Sequence, residues 1–464
     1  MKQTSAEFAS GLAVPSSDAV LPHARPRNDG AAQPVLAVTL ALIPVIAAVP
    51  VGSHRPIYWM IWTVVIACLV IAVIAQGRHP LRLPIAGVGG LAVVFLAACG
   101  LQLLPIGTMF GLERPFISID TGATALATLR WASYAGFFWL MCQASRQRQQ
   151  ARLIAWVLFS GIVLHAIWAL VAFRFLGDAA LWGPKLHYQG SVTGTFVNRN
   201  AYAVFLGFGL ILGLGLLSHA ALKPDVERRR MAVLFSAQTV WSGTLWLCLG
   251  VIALALFGTA SRFGVFASLL AALVLVGALA AKHSGSGRFT ARVVGWWSLV
   301  VLALFAIVGR PALERAVFTQ IDSQDRVSLY VQVIDLIRQQ PLTGVGLDVF
   351  ETAFQGVHRT PMSPDLAWDR AHSTYLALWA EMGLIVGSIP PLICLIIAVT
   401  LITRFMRAKR DFVFVAIALS AITLGAIHSL VDFSLEIAAN VYVFLALVAL
   451  GATRATGQGA GERS

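Results

Sequence analysis

The sequence predicts an all-α integral membrane protein, a polytopic bundle of about twelve transmembrane helices with one large helical loop on its outer face. Three observations carry that prediction. Apolar residues make up 58% of the chain and charged residues only 12%, against about 25% charge in a soluble domain; the mean hydropathy is +0.79. Runs of about 20 apolar residues, enough for a helix to cross a bilayer, recur throughout. The charges also divide by loop. With the N terminus inside, internal loops and tails hold 21 Lys/Arg against 7 Asp/Glu, and all other positions hold 13 against 14. That partition follows the positive-inside rule. It accounts for a net charge of +13 and a pI near 10.1 without nucleic acid as a partner.

Residues 1–33 are polar and proline-dotted, with no apolar core, and read as a disordered cytoplasmic tail rather than a signal peptide. Spans one to nine, within 34–309, are expected at 34–52, 56–75, 83–104, 122–143, 153–176, 199–217, 233–258, 261–281 and 293–309. Residues 310–373 form the large outer loop. Spans ten to twelve, within 374–452, are expected at 374–402, 412–430 and 437–452, and 453–464 form a second cytoplasmic tail. Cys68, Cys99, Cys142, Cys248 and Cys394 all fall inside predicted spans, and no Cys/His spacing suggests a metal site or a disulfide framework. Gly207, Gly209, Gly213 and Gly215 suit close helix packing.

The outer loop carries 6 basic and 8 acidic residues. Within it Val327, Tyr330, Val331, Ile334 and Ile337 follow helical spacing, which predicts an amphipathic helix with Asp325 or a neighbour as its cap. Pro341, Gly344 and Gly346 end that helix, and Asp348 to Phe354 reads as a second, shorter one. The whole is expected to lie on the outer membrane surface like a lid.

The candidate chemistry gathers on that outer face. Arg199 and Arg262 head the sixth and eighth spans, where a charge is costly unless something compensates it. An arginine offers a planar fork of donors matched to phosphate oxygens and stays charged when desolvated. The alternative is that both snorkel to lipid headgroups or pair with carboxylates. His372 ends the large loop and precedes a helix bearing Tyr375 and Trp379; an imidazole there can take a proton from a sugar hydroxyl near neutral pH. Arg130, within the fourth span, is a candidate third cation, ahead of His165 and Arg174 in the fifth. His428 and Asp432 form an i, i+4 pair with Glu436 beyond them, a spacing that favours a structural role. Glu381 is expected to face a neighbouring helix or loop.

Taken in order, these motifs resemble the O-antigen ligase and O-antigen polymerase superfamily from about residue 120 to 445. They are Gly194-Thr195-Phe196-Val197-Asn198-Arg199-Asn200, Ser261-Arg262, and Asp325-Arg326 through Pro341-Leu342-Thr343-Gly344-Val345-Gly346 to Phe350. Ala371-His372-Ser373-Thr374-Tyr375-Leu376, Glu381-Met382-Gly383-Leu384 and His428-Ser429-Leu430-Val431-Asp432-Phe433 complete the series. The family often has His-Asn where this chain has His372-Ser373. The resemblance implies a bacterial inner-membrane glycosyltransferase with both termini cytoplasmic and its active face periplasmic. It would move a glycan from an undecaprenyl-pyrophosphate carrier to a glycan or lipid A-core acceptor, without metal or cofactor. Arg199 and Arg262 would hold the pyrophosphate and His372 would serve as general base. Asn198, Asn200, Arg130, Arg326, Tyr375, His428 and Asp432 would support them. Ligases, polymerases and protein oligosaccharyltransferases all fall within that superfamily.

Two other classes compete. A secondary transporter suits twelve spans and anion-binding arginines, but transporters place their sites near the midplane on broken helices. A non-catalytic scaffold for polysaccharide assembly would tolerate loss of Arg199, Arg262 and His372.

Overall fold

A computed structural model describes residues 32–77, 83–181, 183–221, 237–284, 292, 295, 299, 320–362, 368–407 and 411–455. These residues are helical and carry no strand. The helices are α1 (Ala32–Ala47), α2 (Pro56–Ala75), α3 (Val88–Leu101), α4 (Thr121–Ala144), α5 (Arg148–Phe175), α6 (Arg199–Ala221) and α7 (Ala237–Gly258). They continue as α8 (Arg262–Ser284), α9 (Gln320–Gln339), α10 (Phe350–Gln355), α11 (Thr374–Gly387), α12 (Ile389–Arg407), α13 (Phe412–His428) and α14 (Ala438–Ala455).

Helices stand at eleven of the twelve predicted spans, while the ninth lies outside the described residues but for 295 and 299. Among the described residues seven helices are long and apolar enough to cross a membrane: α2, α5, α6, α7, α8, α12 and α14. Burial sorts them. The apolar stretch of α6 is 89% buried and that of α14 78%, whereas α2, α7 and α12 bury only 17%, 28% and 22%. A helix apolar all round is stable exposed only if its surroundings are apolar too, so α2, α7 and α12 form the lipid-facing rim and α6 the centre. Around α6 pack α5, α7, α8 and α13, with α14 against α13 and α4. The predicted packing glycines do this work. A methyl group on Gly209 would collide with Ile162 and one on Gly213 with Phe159, both on α5; one on Gly215 would meet Ile417 of α13.

The tenth predicted span, 374–402, is not one helix. Gly383 (φ 74°, ψ 167°) breaks α11, and α12 alone provides the span-length helix. The break orphans carbonyls that lipid would leave unpaired, an expensive state. The Pro341–Gly346 segment answers them: Val345 N–H donates to Ala380 O and Gly346 N–H to Glu381 O, both at 3.0 Å. In return Leu384 N–H donates to Pro341 O at 2.8 Å. The Gln102 amide completes the plug, donating to Glu381 O (2.9 Å) and Thr343 O (3.0 Å) and accepting from Leu347 N–H (3.0 Å).

The segment between α8 and α11 has a small core of its own, in which Leu329 and Val333 of α9 meet Phe350 and Phe354 of α10 and Ala377 of α11. The α9 face differs from the one expected. Leu329, Val333, Leu336 and Ile337 are buried, and Val327, Val331 and Ile334 face outward. Several apolar faces compete on this helix, and the partner helix selected the one it could cover. Asp325 lies inside α9, which begins at Gln320, and so does not cap it.

Gly383→Ala is expected to lower the apparent unfolding temperature of the detergent-solubilised protein sharply, because its φ/ψ is glycine-only and costs about 1–3 kcal/mol otherwise. Its added methyl group would also strike the Leu342 carbonyl. Gly250→Ala, in α7 with open space around it, is the matched control and should be neutral or slightly stabilising.

Candidate active site

The site is built where α6 and α8 begin. Asn198 caps α6, its Oδ1 accepting from Asn200 N–H (2.7 Å) and Ala201 N–H (3.4 Å). Ser261 caps α8, its Oγ accepting from Gly264 N–H at 3.3 Å. Each helix therefore opens with its arginine in the first turn, Arg199 and Arg262. The two openings are tied together: Ser261 Oγ donates to Asn200 Oδ1 (2.7 Å), and Asn200 Nδ2 donates to Asp432 Oδ2 (3.0 Å). Asp432 is 2% exposed, and its other oxygen accepts from Ser434 Oγ at 2.5 Å. One buried carboxylate thus fixes two helix N-termini side by side, and both dipoles present their positive ends there.

Arg199 is half-buried, its guanidinium 5.4 Å from the centre of the Tyr188 ring. Its Nε has no hydrogen-bond partner among the described residues. Arg262 is exposed. The Gly194–Asn200 segment is anchored beneath them: Thr195 Oγ1 donates to Ala48 O at 2.6 Å, and the Tyr202 hydroxyl donates to His165 O at 2.9 Å. Burial holds His165 in a packing role, its Nε2 3.0 Å from Val45 O.

His372 enters from the α9–α11 segment onto the same corner. Thr374 N–H donates to Ser429 O (3.1 Å), Ser373 Oγ to Ser429 O (3.2 Å) and Thr374 Oγ1 to Asp432 O (3.3 Å). The His372 ring sits edge-on between Phe433 (5.2 Å) and Trp368 (6.4 Å). Its backbone adopts φ 50°, a left-handed conformation that a non-glycine residue holds only when its surroundings impose it. The Tyr330 hydroxyl, on α9, donates to His372 O at 2.9 Å. Burial pushes the Tyr330 phenol up, Arg326 opposes and Asp432 reinforces, so Tyr330 stays a neutral donor and both charged groups lie within its electrostatic reach.

The remaining expected residues divide. His428 and Asp432 share a face, but Nδ1 and Oδ1 are 3.9 Å apart, beyond a hydrogen bond; the His428 ring instead lies 5.8 Å from Phe263, next to Arg262. Tyr375 turns away, its hydroxyl donating to Ala426 O at 3.0 Å. Arg130 is occupied. It is buried against Asp348 (3.1 Å) with its guanidinium 5.1 Å from the Trp59 ring.

That contact opens a chain of charges that the sequence did not reveal. Asp348 also receives Arg370 Nη1 at 3.4 Å, and the same nitrogen reaches Glu436 Oε2 at 3.1 Å. Burial would lower the Arg370 guanidinium, but Glu436 and then Asp348 more than offset it and hold it charged. Nothing in a run of alternating charges says which carboxylate an arginine will meet, so this chain had no sequence signal. Glu381, as expected, faces a loop: its carboxylate accepts from the Asp348 backbone N–H.

Burial pushes the Glu436 carboxyl up to about 6, with Arg370 opposing. Because this lies above the ordinary 4.5, the folded chain holds that proton more tightly than the unfolded one. The stability it contributes is present below about 4.5 and is lost as pH rises through about 6. Glu436→Gln should remove that slope. Apparent unfolding temperatures scanned from pH 4.5 to 7 should fall less in this variant than in the wild type.

No curated protein matches the chain. A family model described as O-antigen ligase matches residues 245–390, about a third of the chain, a stretch holding Arg262, Arg326, Tyr330, Arg370 and His372. Over residues 245–390 the chain is thus similar to the O-antigen ligase family, the family that its motifs resemble.

Proposed function

We propose that the protein is a membrane glycosyltransferase that moves a glycan from an undecaprenyl-pyrophosphate carrier to a sugar hydroxyl on the periplasmic face, without a metal. The observation that carries this reading is the Ser261–Asn200–Asp432 hydrogen-bonded chain. It sets two arginine-bearing helix starts side by side and joins them to the segment that bears His372.

Arg199 and Arg262 bind the pyrophosphate, with the helix openings adding partial positive charge. The donor's anomeric carbon then faces His372. An imidazole nitrogen of His372 takes the proton of the acceptor hydroxyl as that oxygen bonds to the anomeric carbon. The bond from that carbon to the phosphate oxygen breaks, and the electron pair leaves with the lipid pyrophosphate. The arginines stabilise the charge that develops there, which is where fixed cations contribute most. The neutral Tyr330 hydroxyl, the aromatic flanks and the Ser373 cap keep the imidazole in place. The acceptor is a glycan or a lipid A-core, and the carrier's tail lies among membrane lipids.

Arg199→Ala and Arg262→Ala should each lower transfer by about 100-fold or more while expression and membrane insertion persist. His372→Ala should be comparably damaging, and His372→Gln should not restore it. Wild-type rates in these variants, measured with reconstituted protein and extracted lipid-linked donor, would remove the mechanism. Transfer should survive a chelator; strict dependence on added divalent metal would count against the arginine clamp. In a strain lacking the protein, long chains stranded on the carrier indicate a ligase, and single repeat units without polymer indicate a polymerase.

A further inference from the structure

Two residues before His372, Arg370 joins carboxylates from two separate parts of the fold. Asp348 belongs to the turn that enters α10, and Glu436 to the turn between α13 and α14. Arg130 of α4 reaches the same Asp348 oxygen, Oδ1, at 3.1 Å. The chain Arg130–Asp348–Arg370–Glu436 therefore runs from the helix bundle, through the α9–α11 segment, and back to the bundle beside Asp432. Side-chain exposures of 9%, 25%, 27% and 17% along it place these charges largely away from water.

Ion pairs so placed gain little net stability, because desolvation consumes most of the Coulombic attraction. Their distinctive product is orientation. A planar guanidinium whose one nitrogen, Nη1, is held between two carboxylates leaves little freedom to the backbone that carries it. That backbone is one residue from Ala371, which is 1% exposed, and two from His372 with its left-handed φ of 50°. Downstream, Ser373 and Thr374 are pinned to Ser429 and Asp432. His372 therefore sits between two anchors, and the upstream one is electrostatic.

We infer that Arg370 is a positioning residue for the proposed reaction: through Asp348 and Glu436 it sets the place of His372 relative to the arginine-bearing openings of α6 and α8. This rests on His372 being the base. The prediction is a loss in turnover rather than in donor binding, since Arg370 spends its charge on the protein's own carboxylates.

The test uses the full chain in lipid nanodiscs, with lipid-linked glycan and acceptor both extracted from a strain lacking the protein. Arg370→Gln should lower kcat about 10–100-fold, the range a shift of about 1 Å produces, with donor KM within about twofold. Arg370→Lys, which keeps the charge but not the fork, should recover part of that loss. Unchanged kcat in Arg370→Gln, a rise in KM alone, or no advantage of Lys over Gln would each overturn the inference. Should Arg370→Gln fail to insert, Glu436→Gln removes a single partner and should still lower kcat at constant KM; unchanged kcat there overturns it equally. His372→Ala run in parallel separates the two ideas. If it turns over normally, the base assignment falls and the positioning role with it. If it is inactive while Arg370→Gln turns over normally, only the positioning role falls.

Discussion

The arrangement depends on one buried carboxylate. Asp432 accepts from Asn200, Asn200 accepts from Ser261, and through those two hydrogen bonds the starts of α6 and α8 are held side by side. A buried carboxylate is tolerated only when its oxygens are satisfied, and here Asn200 and Ser434 satisfy them. The same residue receives the Thr374 hydroxyl on its backbone carbonyl, so the loop bearing His372 closes onto the fixture that sets the arginines. Cations, helix dipoles and imidazole share a reference point 2% exposed to solvent.

A second constraint is the break in α11. An unbroken helix would need no partner for its carbonyls and would leave the Pro341–Gly346 segment without a seat. The break at Gly383 exposes the Ala380 and Glu381 carbonyls to Val345 and Gly346. The Pro341–Gly346 segment is thus attached by main-chain hydrogen bonds, which fix register more tightly than apolar contact does. Register matters because Asp348 and His372 both follow from it in the chain.

The arginines divide by what they touch. Arg130 and Arg370 spend their charges on Asp348 and Glu436 and hold the frame. Arg199 rests on the Tyr188 ring, a contact worth about 0.5–2 kcal/mol that leaves the guanidinium edge available to an anion. For the proposed diphosphate leaving group that division matters, because cations already neutralised by carboxylates would contribute little to its charge.

By itself the sequence determined the membrane class, the places of eleven helices and the apolar segments that form them, since these follow from local composition and the length of a bilayer. It also marked Arg199, Arg262 and His372, because a cation at the mouth of an apolar helix and a lone imidazole at a loop end stand out against their neighbours. The match over residues 245–390 agrees with the family those motifs implied. Only the tertiary structure decided that span ten is two helices, because Gly383 breaks a helix only when a partner segment takes its carbonyls. Only it decided which face of α9 is buried, because several apolar faces were available and α10 and α11 covered one. And only it decided that Arg130 is paired internally with Asp348 and that Arg370, two residues before His372, bridges Asp348 and Glu436. Pairings of like-looking charges at separations of 22, 66 and more residues leave no local trace, and are chosen by which side chains the packed helices bring within reach.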